Sequence, residues 1–474
     1  VSIQAQQQPG EFRIDDAKLS AVIAADIEDA ERLSGSDITA EVRSGIVTLA
    51  GTAESLLDKR LATQIAKRTR GVLAVQNQIL VERSERSDDA IRKDVMQVLS
   101  ANDSIAQPAI KANVSAGEVA LIGKVESLAQ KRIAAFATAG VKGVTGIDNQ
   151  MTVGLSTERT DDELRDEINA LIVQSIYFDD CDIDVKVDNH VAKLSGTVFS
   201  AAAKDRLEQV AEIWGIAAAD VSAVTVDPNS ADSSIRKRRY AEVTDDSIET
   251  ALRRSFRADP IVFSRAEAIQ VDVDSGVVTL LGDVNRLRVK KRAARLAQNV
   301  IGVNRVVNEL HVQYEGKTPG DAKIIRLTQA ALARSAQLDR REIRVHCQAA
   351  HVSLYGIVDS ELEKYVAEWL ADGVPGVVHV NNSLAVEPKW KPKSDDQIEA
   401  DLKRKLKYAL FDTSNQIDVT IENGVAILRG EVDTWRQWQA AMDLAIEAGA
   451  RHPHNLINVR FHPPHGATRY YVPE

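Results

Sequence analysis

The chain has 474 residues, 27% of them charged and 44% hydrophobic, with 12 prolines, 25 glycines and two cysteines. That composition excludes collagen-like, low-complexity and disulfide-built proteins, and no stretch is long and apolar enough to cross a membrane as a helix. A net charge of −10 and 4% aromatic content argue against a dedicated nucleic-acid binder, which needs clustered cations and stacking rings.

Residues 1–14 read as a polar tail. It opens Val1-Ser-Ile-Gln-Ala-Gln-Gln-Gln-Pro-Gly10 without Met, the kind of end that removal of a signal peptide leaves. The expectation is an exported protein, extracellular or in the periplasmic envelope.

The first structured unit follows at once. A helix is predicted over about residues 16–33, opened by Asp15-Asp16, which suits a helix N-terminus. Ile38–Val42 alternates as a strand, Ser44-Gly45 is hairpin-turn chemistry, and Ile46–Gly51 returns as a second strand. A second helix begins at Ser55 with Leu57, Leu61 and Ile65 on one face, and Gly71 ends it. The apolar run to Val81 is a third strand. A strand–helix–strand crossover makes the second and third strands parallel, while the hairpin makes the first antiparallel.

This unit recurs six times. Val47-Thr-Leu49-Ala-Gly51 is echoed by strands ending at Gly123, Gly196, Gly282, Gly356 and Gly430, with Leu two residues before each glycine. A second glycine, at 71, 143, 215, 302, 376 and 449, precedes an asparagine by six residues in five copies: Asn77, Asn149, Asn308, Asn382 and Asn455. The third copy lacks that asparagine. Acids open every copy, at Asp88-Asp89, Asp161-Asp162, Asp245-Asp246, Asp321 and Asp395-Asp396. Ser55, Ser127, Ser200, Ser360 and Thr434 stand where second helices need caps, three of them in capping-box spacing with Gln130, Glu363 and Gln437. The strand-end glycines are read as sites of close backbone approach, and the asparagines as partners of local backbone groups.

The fold class is therefore α+β: six tandem small αββαβ modules, each a three-stranded mixed sheet with two helices on one face. The modules span 15–82, 88–154, 161–227, 245–313, 320–387 and 395–462. Residues 228–244 form a linker and 463–474 a C-terminal tail. The helix–hairpin–helix–strand unit, its Val-x-Leu-x-Gly-x-Val strand and its Gly-Val-x-x-Val-x-Asn turn resemble the BON (bacterial osmotic-shock and nodulation) domain. The resemblance implies a non-catalytic, envelope-associated module proposed to contact phospholipid, and it carries no catalytic residue over.

The longest linker, Asp227 to Tyr240, reads as a flexible joint between two triplets of modules. After it, Arg286, Arg288, Lys290, Lys291, Arg292 and Arg295 crowd one helix, a candidate contact for anionic lipid or for another subunit's acidic surface. Asp179-Asp-Cys-Asp-Ile-Asp184 lacks the glycine and distal glutamate of a calcium loop and reads as a solvated loop. Cys181 and Cys347 occupy different places in their modules, and their state is left open. His452, His454, His462 and His465 have no metal-ligand spacing. No phosphate loop, triad or paired carboxylates appear, so no enzyme, cofactor or metal is expected.

The functional expectation is a secreted or envelope structural protein. It self-associates through its modules and tails into a homo-oligomer, polymer or filament, because three-stranded sheets leave edges open. The alternative is a peripheral protein bound to an anionic phospholipid surface through the basic fourth repeat.

Overall fold

The computed structural model describes residues 15–30, 33, 35–100, 105, 110–154, 159–230, 233–241, 243–314, 318–335, 338, 342–358, 361–386, 393–408, 417–432, 435–450, 453–461 and 469–471. They form six modules of the expected order: helix, hairpin, helix, strand. In each, the middle strand is central. In module 1 it is Ile46–Ala53, antiparallel to Asp37–Arg43 and parallel to Ala74–Asn77. Val47, Leu49 and Ala53 alternate inward on this strand because successive side chains point to opposite faces. They meet Leu19 and Ile23 from the first helix and Ala62, Ile65 and Ala66 from the second, so the module has its own core. The other five modules have equivalent cores.

The hairpin turns explain the acids that open each module. Ser44 and Gly45 both have positive φ, 49° and 74°, the primed turn that matches strand twist. Its two N–H groups point at the first helix, where both carboxylate oxygens of Asp16 accept them, at 2.6 and 3.0 Å. Asp88, Asp161, Asp245, Asp321 and Asp395 clamp the corresponding turns in the same way. The sequence suggested helix-end chemistry at these positions; the structure adds a tie between helix and hairpin.

Gly51 sits at φ 118°, and a β-carbon there would strike the carbonyl oxygen of Asp37. Gly123, Gly196, Gly282, Gly356 and Gly430 share the positive φ. Asn77 bridges the second helix and the third strand. Its Nδ2 donates to the Lys59 carbonyl and its Oδ1 accepts from Ile79 N. Asn149, Asn308, Asn382 and Asn455 make the same two links. Ser55, Ser127 and Ser200 cap their helices. Gln130 Oε1 accepts from Glu126 N, one residue before the cap. Ser360 and Thr434 lie outside the described residues.

Two expectations change. The linker carries a helix, Ser233–Ala241, docked on module 3. The Asp179–Asp184 stretch is its seat and not a solvated loop: Asp179 and Asp180 are buried and pair with Arg236, Tyr240 donates to Asp179, and Arg239 donates to the carbonyls of Phe178 and Cys181. The linker, which reads as a flexible joint, is thus tied to module 3 through Arg236, Arg239 and Tyr240, while Lys237 and Arg238 stay exposed. The C-terminal strand Arg469–Tyr471 lies antiparallel to His454–Phe461 and extends the sheet of its own module to four strands.

Candidate functional site

The six modules are not beads on a string. In modules 1 to 3 the residue just after the second-helix cap enters the core of another module: Leu56 of module 1 in module 2, Leu128 of module 2 against module 3, Ala201 of module 3 in module 1. Three such steps close a ring. Ion pairs follow the same rule. The residue five after the cap meets the residue twelve after the next module's cap, as Arg132 with Glu212 at 2.6 Å and Asp205 with Lys67 at 2.6 Å. Module 4 repeats the step onto module 5. Leu287 enters that core, and Lys291 pairs with Asp372 at 2.8 Å and Glu368 at 2.6 Å.

The two triplets face each other in three module pairs. Val141 bridges Ser335 (modules 2 and 5), and Ser175 bridges Val300 (modules 3 and 4). The turn after a second helix donates to the end of a first helix in each pair: Lys142 N to Arg334 O, Ile301 N to Gln174 O, and Arg70 N to Tyr408 O for modules 1 and 6. Aromatic rings reinforce two of these pairs. Trp214 stacks on Phe263 with centres 5.5 Å apart, and Phe136 meets Trp369 edge-on at 6.1 Å. Modules 1 and 6 are instead joined by charge. Arg404 pairs with Asp26 (3.1 Å) and Asp29 (2.6 Å), Lys405 with Asp26, and Lys393 with Asp29. Burial alone would raise the Asp29 carboxyl; Lys393, with Lys405 and Arg404, holds it below the usual carboxylate range. Modules 1, 2 and 3 close a ring, and the pairs 1–6, 2–5 and 3–4 set the second triplet against it through like surfaces, the relation that a two-fold axis at each pair produces.

Three residues of the basic helix of module 4, Arg288, Lys291 and Arg295, are taken up by the contact with module 5. Arg288 donates to the Trp369 carbonyl and covers its ring at 4.2 Å, Arg295 reaches the Tyr365 hydroxyl, and Arg292 pairs with Asp259 within its own module. Arg286 lies 5.0 Å from the centre of the Tyr314 ring, and the Lys290 carbonyl accepts from Asn308. The acids that meet this helix, Glu368 and Asp372, belong to module 5 of the same chain and not to another subunit. Sequence reasoning missed the complementary residues because an acid twelve positions into a helix reads as a solvated face.

Cys181 and Cys347 are buried free thiols. Burial pushes both up, Cys347 to about 11, which leaves them as unreactive thiols at neutral pH. His454 lies on the third strand of module 6; His452, His462 and His465 fall outside the described residues. Among the described residues no group of three or more His, Cys, Asp or Glu converges to hold a metal, and no helix is long and apolar enough to cross a membrane. One polar cleft of about 270 Å³ lies between modules 3 and 4, lined by Glu167, Thr250, Arg253, Arg254 and Arg257.

Comparison with known proteins accords with this repeat. A 145-residue stretch is 27% identical to osmotically-inducible protein Y of Escherichia coli K12, covering 29% of this chain and 72% of that protein. Among solved structures, CdsD, a structural protein of the type III secretion system of Chlamydia trachomatis, matches at 16% identity over 50% of this chain and 97% of its own, with a TM-score of 0.13. A second structure, of the C-terminal domain of CdsD, matches at 15% identity over 48% of this chain and 99% of its own, also with a TM-score of 0.13. The BON domain profile matches residues 15–83, 87–154, 160–227, 244–314, 320–388 and 394–460, and the chain belongs to the BON domain family, with six copies of the domain.

Proposed function

We propose that this chain is a non-catalytic, exported structural protein of the cell envelope that associates with further copies of itself. The observation that carries the reading is that its modules recognise one another through two recurrent surfaces. One is the start of the second helix; the other is the turn after it. A module that buries its helices against other modules leaves its sheet to the outside. In module 5 that outer face exposes Arg344, His346, Tyr355 and His379. The tail strand Arg469–Tyr471 supports the use of sheet edges as contacts, since it pairs with one. Light scattering on the eluting protein at two concentrations tests the reading. A mass above 51.8 kDa that grows with concentration supports it; a single-chain mass at both overturns it.

A second reading, a peripheral phospholipid-binding protein, draws on the arginine-lined cleft rather than on the basic helix of module 4. Arg253, Arg254 and Arg257 share one face of the first helix of module 4; Arg253 pairs with Glu249 and Arg257 with Glu267 on the surface, exposed pairs that an anionic headgroup can displace. Flotation with phosphatidylglycerol vesicles, lost in Arg254→Glu with Arg257→Glu, supports this reading. Absence of flotation by the unmodified protein removes it.

A further inference from the structure

The three pairs that join the triplets are equivalent in geometry but not in charge. The position ten residues beyond the clamp aspartate on each first helix lies near the two-fold contact. It is occupied by Val98 and Ala331 in modules 2 and 5, and by Leu171 and Ser255 in modules 3 and 4. In modules 1 and 6 it holds Asp26 and Lys405, which meet at 3.2 Å. Asp29, Arg404 and Lys393 extend the same pattern, with acids on module 1 and bases on module 6; Asp401 of module 6 sits among its own bases, pairing with Lys393 and Arg404, and a more exposed pair, Arg68 with Glu447, runs in the opposite sense. The residues are 6–23% exposed, so these charges are partly desolvated, and like charges placed there would repel strongly. Two copies of module 1 therefore cannot pair through this face, nor two copies of module 6. Module 1 with module 6 can, and the two lie at opposite ends of the chain.

Resting on the self-association reading, we propose that the contact between modules 1 and 6 is an exchangeable clasp: the face of module 1 that holds module 6 of its own chain accepts module 6 of a second copy. Within one chain the packed modules between them hold the two faces together and favour closure through a high effective concentration. Between chains the same contact is heterologous, so it links copies head to tail and extends into a linear assembly unless a ring closes. Charge thus fixes the polarity of the assembly as well as the partner.

Two charge-reversed full-length variants test this. Asp26→Lys with Asp29→Lys makes both faces basic; Lys393→Glu with Arg404→Glu and Lys405→Glu makes both acidic. Neither can close on itself or link to its own kind, so each alone runs as a single chain. Mixed in equal amounts, they are complementary only between copies, and the mass by light scattering at least doubles. A mixture that stays at the single-chain mass, with both variants retaining wild-type circular dichroism, overturns the clasp.

Should either variant fail to fold, Asp29→Cys in one copy and Lys393→Cys in another, co-refolded and treated with a short bis-maleimide, replaces the test. A cross-linked pair of chains supports exchange, and its absence overturns it. If the wild type associates and each charge variant alone does so equally well, self-association stands and this face is not its route. If wild type and mixture are both single chains, both readings fall.

Discussion

At Asp179 burial outweighs the arginine beside it. Desolvation pushes this carboxyl up to about 6, against the pull of Arg236, with Asp180 adding to the rise and Tyr240 opposing it. The folded value exceeds the unfolded value of about 4, so the native state holds the proton more tightly between those two pH values. The resulting stabilisation is fully present below about pH 4 and is lost as pH rises to about 6. Asp179→Asn should remove that slope, worth up to about 3 kcal/mol, and thermal unfolding at pH 4.5 and 7 reads it. An unchanged slope would count against the assignment. Two of the clamp acids behave oppositely. Backbone N–H donors, those of His190 and Ala350 first, hold Asp161 and Asp321 below the usual carboxylate range. Their contribution is present above about pH 4 and is lost as pH falls through the folded values. Asp321→Asn should speed amide exchange at Ala349 and Ala350 while leaving the core amides of module 5 protected.

At the level of elements, the second helix has two tasks: to cover its own sheet and to present its first residue to a neighbour. Ser127→Ala removes a cap and should cost about 1 kcal/mol. Leu56→Ala removes a side chain that is buried in another module's core, and should cost on the order of 2 kcal/mol or more. A urea titration of each variant measures both, and a Leu56→Ala loss near zero would mean that the ring is not closed in solution. The order of helices and strands was legible because Val-x-Leu-x-Gly recurs in register and strand alternation has only one buried phase. The caps and the bridging asparagines were legible because their chemistry is local. Arg132 with Glu212 and Lys291 with Asp372 were not, since each partner looks like an ordinary exposed charge until a fold brings it across. The linker helix was hidden for the same reason: Ile235-Arg-Lys-Arg-Arg239 has no apolar stripe, and its acidic seat lies more than fifty residues earlier.

For the whole molecule the contacts run against chain order. Module 1 touches modules 2, 3 and 6, and the fourth touches the third and fifth. Such closure predicts a compact particle. A globular chain of this length has a radius of gyration of about 23 Å, which small-angle scattering of the single-chain species should approach. A string of independent modules would give a far larger value and a scattering profile of a flexible chain. Of the three pairs that join the triplets, the charged one between the terminal modules should be the most salt-sensitive, because ionic links weaken with screening while the stacked rings of Trp214 and Phe263 do not.

The pairing of the first and last modules also decides how the molecule bears mechanical load. A pull on the two ends does not stretch six domains in series. It falls first on Asp26, Asp29, Lys393, Arg404 and Lys405, a patch that parts without unfolding any core. The chain would lengthen as the terminal modules part, with the other two pairs still joining the halves, and recoil when released, a reversible extension that precedes any rupture of a module.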